Sequence, residues 1–495
     1  MSQSRFSLLL LPFVAAIPFL AFSILVLRHF YILGAFWGDS GVIAFILWRS
    51  DLLLHTPLVA GGASFFATHA TPVFIPISLL SRILPLSKIQ LFAAFTGICY
   101  MLPAVAAYWL LISSYCARSP FGAAMLSLMF AFNGIALAAA RNPHFEMLVI
   151  GTGMMFLVAL VQERYRLATL FFALCLATRE DAGFDLFALL AVTVTLNHWR
   201  DAPLHRQKYL VIYGVLALAY STVAIIAQRR FFPGDDAFTR VYLGTPLFDA
   251  LTWRHITERL DFYMSCRLYI LMPGFIAFAW GISLRDAYIA AGYIAFIPWF
   301  LLHLLANSLM AGTLSNYYAF PFIFALFWPL IGLLIEQRLN GRVTHTRIRP
   351  LVAFTLMLMA SFVDLGRQHN PGHLDFPVSF LIAPSLAQQQ VTDAAVRNFA
   401  ASKPAFGVLA VDGSIAALDP NQFNHSELLA GDPIQPPDSI IFFAQGYQAP
   451  LALAVAAQVG LKQFYEIPRT HLRVATDRQL DRMLGLVPIA PSQVR

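Results

Sequence analysis

Residues 6–28 read FSLLLLPFVAAIPFLAFSILVLR, twenty-two residues without a charge closed by Arg28. At 1.5 Å per residue such a helix is long enough to cross a ~30 Å hydrocarbon core. Arg5 ahead of the run gives it the look of a secretory signal. A signal's apolar core is only about 7–15 residues, however, and no small-x-small cleavage site follows this one. The run is therefore expected to be a retained first span.

The remainder of the chain repeats that pattern. Of its 495 residues 59% are hydrophobic and 12% charged, against roughly 25% charged in a soluble protein. Soluble domains could not hide so much apolar surface, so lipid is the expected solvent. Apolar runs cover 6–28, 89–114, 120–140, 146–161, 166–178, 183–197, 208–228, 267–283, 286–305, 317–336 and 350–365. Together they predict an all-α polytopic membrane protein of about eleven spans, the fifth and sixth short. Residues 72–84, with two prolines and Arg82, are too short to span and are expected to be re-entrant or interfacial. The formal charge of +7 is scattered in loops rather than gathered into a stripe, which argues against a nucleic-acid partner. Cys99, Cys116, Cys175 and Cys266 lie in or beside apolar runs without metal-binding spacing, so neither a disulfide framework nor a zinc site is expected.

Lys and Arg set the orientation. Arg118, Arg164, Arg166, Arg200, Arg206, Lys208, Arg285 and the cluster Arg338, Arg342, Arg347 and Arg349 fall in alternate loops, which places those loops and the N-terminus in the cytoplasm. The chain then divides into a transmembrane domain (1–366), a Pro- and Gln-rich linker (367–390) and an extracytoplasmic α/β domain (391–495). Within the last, helices are expected at 392–401 and 450–459 and strands at 406–411, 439–444, 463–467 and 472–475. Lacking a phosphate loop and a Ser-His-Asp spacing, that domain is read as a lid or recognition module. The expected setting is a bacterial inner membrane.

The polar residues that interrupt the apolar runs gather on the extracytoplasmic side. Asp39, in Trp37-Gly38-Asp39-Ser40-Gly41, is placed either to cap the apolar segment 42–48 or to act as a general base or metal ligand. Arg179-Glu180-Asp181 puts three charges at one tight turn. Such charges stay in a wet cavity or at the interface, because each costs about 2.5–3.5 kcal/mol at a helix centre. They suit a plain hairpin with a local ion pair, or the binding of a phosphate or divalent cation. His144 and Glu146 flank Phe145 in the preceding turn, as an acid–base or ligand pair or as a proline turn with a capping Glu. His69 precedes the interfacial segment, where a hydrogen-bonded structural histidine is the plainer reading. Tyr317 and Tyr318 open a span and match an aromatic belt. Asp235-Asp236 follows Pro-Gly in an expected turn.

Taken in order, these segments resemble the bacterial and archaeal membrane proteins grouped as domain of unknown function 2079. The resemblance rests on Gly38-Asp39-Ser40-Gly41, His69-Ala70-Thr71-Pro72, His144-Phe145-Glu146, Arg179-Glu180-Asp181 and Tyr317-Tyr318-Ala319-Phe320-Pro321, with weaker likeness around 413–417 and His425. Two departures stand out: Pro143 precedes the histidine, and Tyr317 stands where that family often has histidine. The family in turn resembles C-type-fold glycosyltransferases, which use polyprenyl-phosphate sugars and keep a catalytic carboxylate in the first extracytoplasmic loop. The resemblance implies that Asp39 is the base and that Arg179 binds the donor phosphate. Glu180 and Asp181 would hold a divalent cation (Mg or Mn) or orient that Arg. His69, His144, Glu146, Tyr317 and Tyr318 would line the substrate. Implied partners are the bilayer, a polyprenyl-phosphate sugar and an acceptor glycan, lipid or protein. A transporter or lipid flippase and a non-catalytic scaffold are the rival readings.

Overall fold

The structure, a computed structural model, describes residues 3–34, 38–55, 64–116, 119–200, 207–233, 238–248, 251–340, 348–363, 378–419, 421–423, 427–429, 435–480 and 485–490. Arg118, Arg206, Asp235, Asp236, Arg342, Arg347, His425 and linker residues 367–377 lie outside them.

Each of the eleven apolar runs carries helix among the described residues. The chain opens with α1 (Gln3–Arg28), α2 (Gly38–Leu47), α3 (Phe74–Ser81) and α4 (Lys88–Leu110). Next come α5 (Pro120–Ala131), α6 (Gly134–Ala139), α7 (Glu146–Val161) and α8 (Tyr165–Leu176). They are followed by α9 (Ala182–Trp199), α10 (Lys208–Phe231), α11 (Trp253–Cys266) and α12 (Leu268–Leu284). The bundle ends with α13 (Ala287–Ala295), α14 (Ile297–Leu304), α15 (Leu309–Gly312), α16 (Pro321–Asn340) and α17 (Ile348–Ala360).

Local chemistry sets many of the ends. Ser87 and Gln90 form a capping box at the start of α4, and Pro120 opens α5 behind the Ser119 cap. Asn133 caps α6 at the break that follows α5, and Asp286 caps α13.

Among the described residues seven helices are long and apolar enough to cross a membrane, or eight counting α11 and α12, which meet at 87°. This refines the expectation of eleven full spans: α7, α8 and α17 are short apolar helices of 10–17 residues. Every residue of α7 is buried. A helix enclosed by its neighbours need not match the bilayer, because protein rather than lipid surrounds it. The apolar stretch at 72–84 contains only the eight-residue α3, about 12 Å long and unable to cross.

Close backbone approach draws the site-bearing turn inward. A Cβ on Gly183 would sit 2.1 Å from the Ala217 carbonyl oxygen, so only glycine lets the start of α9 pack on α10.

Within the expected linker lie α18 (Val378–Leu381), whose Phe380 packs on Phe22 of α1, and the first turn of α19 (Leu386–Ala401); α20 (Lys403–Phe406) follows. Strands β1 (Leu409–Val411), β2 (Ser439–Phe443), β3 (Gln463–Glu466), β4 (Leu472–Thr476) and β5 (Val487–Ile489) form one sheet in the order β1-β2-β4-β3-β5. β1 and β2 are parallel and the other pairs antiparallel. Helices α21 (Gly413–Leu418) and α22 (Ala449–Val459) follow the parallel strands.

The module is bolted to the bundle. Tyr447 N–H donates to Leu33 O at 3.1 Å, Lys88 Nζ to Leu418 O at 2.8 Å, and Tyr31 hydroxyl to Asp393 at 3.3 Å. At Gly34 (φ 51°) the added Cβ would stand 2.6 Å from Phe443 Cβ, so the turn after α1 lies directly against the end of β2.

Candidate active site

Every residue singled out above as a site candidate meets at one end of the bundle. Glu146, the first residue of α7, does not cap its helix: Phe145 is the cap residue and makes no side-chain cap bond. The Glu146 carboxylate instead accepts from Arg179 Nη1 at 2.7 Å and from His144 Nδ1. The Arg179-Glu180-Asp181 turn is likewise more than a local hairpin, since the partners of Glu180 lie over a hundred positions away. Glu180 accepts from His69 Nδ1 at 3.0 Å and from the Ala70 N–H at 2.9 Å. Arg179 Nε lies 2.8 Å from Asp181 Oδ1 as an ion pair. Its N–H does not point along that line, and both atoms lack a hydrogen-bond partner among the described residues.

The aromatic side closes the chain of contacts. The His144 and Tyr317 rings stack at 4.1 Å, and Tyr317 leans on Tyr318 at 4.8 Å. The Tyr317 hydroxyl lies near enough to the Asp39 carboxylate to pull its pKa down. Asp39 lies within the first turn of α2, not ahead of it as a cap. That turn is pinned by Ser40, whose hydroxyl bonds Pro143 O at 2.8 Å and Asn142 at 3.2 Å. Thus residues from five separate segments form one sequence of contacts: His69, Glu180, Arg179 (with Asp181), Glu146, His144, Tyr317 (with Tyr318), Asp39.

The electrostatics divide the cluster. Asp39 remains open to water although protein surrounds it on most sides. Burial raises its carboxyl above the usual range, against the pull of His69 and the Tyr317 hydroxyl. A raised carboxylate is a better proton acceptor. Burial also holds His144 well below the ordinary imidazole value, helped by the charges of His69 and Arg179. It is a neutral ring that donates through Nδ1. Burial pushes Glu180 upward, but His69 and Arg179 more than offset it and keep the group ionised. For Asp181 burial wins despite Arg179. Arg179 itself is held protonated: burial opposes its charge, and Asp181 and Glu180 outweigh that cost.

The residues fit a metal poorly. Among the described residues no three His, Cys, Asp or Glu side chains converge. Glu180 spends both oxygens on His69 and Ala70, and Asp181 faces Arg179. The pair's geometry is that of counter-ions orienting a guanidinium.

Three participants escaped the sequence reading. Tyr242, in a turn at 239–243, lies within electrostatic reach of Arg179 and bonds His303 at 3.3 Å. His303 packs in turn on Tyr318. Asp185, one turn into α9, is buried with Oδ2 lacking a hydrogen-bond partner among the described residues. A carboxylate inside an apolar run was a visible signal for Asp185. Nothing local marks Tyr242 or His303.

Among solved structures the chain is similar to ArnT from Cupriavidus metallidurans bound to undecaprenyl phosphate. The identity is 14% and the TM-score 0.47, over 96% of this chain and 98% of that one. Apo ArnT from the same organism gives 12% and 0.39 over the same shares. No family model and no curated protein matches the chain. Membership of the domain of unknown function 2079 family is therefore not shown. Overlays this loose establish neither an activity nor a substrate.

Proposed function

We propose that this multi-pass membrane protein is a glycosyltransferase that moves a sugar from a polyprenyl-phosphate donor to an acceptor hydroxyl on the extracytoplasmic side. The observation that carries the reading is the juxtaposition just described. A water-reachable carboxylate of raised basicity lies on a chain of contacts leading to a buried, carboxylate-oriented arginine, at one end of an apolar bundle. That is where a polyprenyl tail can stay in lipid while its phosphate-sugar meets polar groups.

In this mechanism Asp39 takes the proton of the acceptor hydroxyl as that oxygen bonds to the anomeric carbon. The bond from that carbon to the phosphate oxygen breaks, and polyprenyl phosphate leaves with the electron pair. Arg179 stabilises the charge gathering on the phosphate; Glu146, Glu180 and Asp181 fix its position. Neutral His144 and Tyr317 hold the wall between the two centres. The N-terminus is then cytoplasmic, and the C-terminal module faces the acceptor. The test is donor-dependent thermal stabilisation of purified protein. Polyprenyl-phosphate sugars should raise the melting temperature of the wild type, and Glu180→Gln should weaken that response. No stabilisation by any such donor would count against the reading.

One observation favours a second reading, a transporter or flippase: Asp185 is a buried carboxyl within a membrane helix, the kind of group that ion pathways use. Under it, Asp185→Asn abolishes flux across liposomes, and no sugar-transfer product forms.

A further inference from the structure

The elbow between α11 and α12 lies at the end of the bundle that holds the Arg179 cluster. α12 has seventeen residues, about 25 Å of helix and near the least that crosses a ~30 Å hydrocarbon core. α11 meets it at 87°, and a helix at right angles to a span runs along the membrane surface. α11 could not cross by itself. It has fourteen residues, among them Arg254, Glu258, Arg259 and Asp261, and each charge costs about 2.5–3.5 kcal/mol at the centre of a span.

At ~100° per residue its side chains divide into three stripes. Arg259, Tyr263 and Cys266 are buried, and Ile256 and Phe262 pack on the bundle core. On this inner face Arg259 donates to His303 O and Ser308 O, and the Tyr263 hydroxyl donates to Gly312 O at 2.5 Å. Trp253, Leu260 and Met264 form a second stripe, apolar and exposed. Arg254, Glu258 and Asp261 form a third, charged and exposed, with Arg254 and Glu258 paired at 2.7 Å. Water alone would leave the second stripe uncovered, and lipid alone could not accept the third. The boundary between the two satisfies both, and tryptophan favours it.

We propose that α11 lies in the plane of the bilayer interface, with Trp253, Leu260 and Met264 among phospholipid chains and Arg254, Glu258 and Asp261 in water. The inner face carries that position to the site. His303, held through its carbonyl by Arg259, bonds Tyr242 at 3.3 Å and packs on Tyr318, which brings the Arg179 cluster to headgroup level. The inference stands independently of the glycosyltransferase reading.

The experiment is nitroxide labelling of the full chain in phospholipid nanodiscs, one variant at a time: Leu260→Cys, Met264→Cys, Glu258→Cys and Asp261→Cys. Power saturation is read under oxygen and under a water-soluble nickel chelate. All four side chains are exposed, so their replacement opens no cavity. The unsubstituted protein, labelled in parallel, supplies the blank for Cys116, which is only half-buried. Oxygen should outweigh the chelate at Leu260→Cys and Met264→Cys, and the chelate should outweigh oxygen at Glu258→Cys and Asp261→Cys. The same preference at all four positions, for either reagent, would overturn the proposal by placing α11 in bulk water or in hydrocarbon. Exclusion of both reagents at 260 and 264 would overturn it too, by showing that another protein surface covers the stripe.

Discussion

Among the described residues arginine is buried in two regions of this bundle, and its partners differ. At the elbow between α11 and α12, Arg259 donates to His303 O and Ser308 O, both at 3.2 Å. Arg267 donates to Thr313 O at 2.7 Å, Cys266 O at 2.9 Å and the Ser315 hydroxyl at 2.9 Å. These are backbone carbonyls and a neutral hydroxyl, and they staple the 303–315 segment to the bend. At the other region Arg179 is met by Glu146 and Asp181, with Glu180 Oε1 at 4.0 Å. A staple needs only carbonyls. Buried carboxylates cost several kcal/mol each to desolvate, and assembling them from separate segments is a poor way to stabilise a fold. That contrast is why the proposed mechanism is built on the Arg179 region.

The sharpest way to break this comparison is Asp39→Asn. The account expects transfer to fall by about 10²–10⁴-fold with the melting temperature unchanged, since Asp39 is open to water. Next comes Glu146→Ala, which leaves Arg179 short of a partner and should cost about 3–5 kcal/mol of stability together with donor response. The control at the elbow is Arg267→Lys. It keeps the charge and loses the fork, so it should cost about 1–3 kcal/mol by leaving carbonyls unmet while donor affinity stays the same. Urea unfolding and donor titration separate the two effects.

A pH profile gives a smaller signal. Asp39 must be ionised to act as a base, and its folded value is raised. Activity should therefore fall as pH drops through that value, at higher pH than an ordinary carboxylate near about 4. Tyr317→Phe removes a hydroxyl that lowers the value, so the acid limb should move further up. The smallest expected effect is that of a chelator. With both Glu180 oxygens engaged, EDTA should change turnover by less than about twofold, whereas a loss of about tenfold or more would restore a metal at Glu180 and Asp181.

Much of this was legible in the sequence because lipid permits few alternatives. Charges that cannot sit in hydrocarbon must appear at turns, and the alternation of loops puts those turns on one side. That reasoning gathered Asp39, His69, His144, Glu146, Arg179, Glu180, Asp181, Tyr317 and Tyr318 at one end, where the structure joins them. The long-range pairings were not legible, because Glu180 meets His69 through contacts 111 positions apart that leave no local pattern. The 87° elbow was hidden for a related reason. α11 carries Arg254, Glu258, Arg259 and Asp261 and reads as loop, yet it is helical along its whole length. Residues 367–390 read as linker for their Pro, Gln, His and Gly, yet α18 and the first turn of α19 are helical. Ser385 in fact caps α19 by accepting from Gln388 N–H.

The measurement that bears most directly on the central claim is release of polyprenyl phosphate by wild-type protein in liposomes supplied with polyprenyl-phosphate sugars and a hydroxyl-bearing acceptor. The account predicts release that depends on both donor and acceptor and vanishes with Arg179→Ala. Folded protein that releases none from any such donor would contradict it.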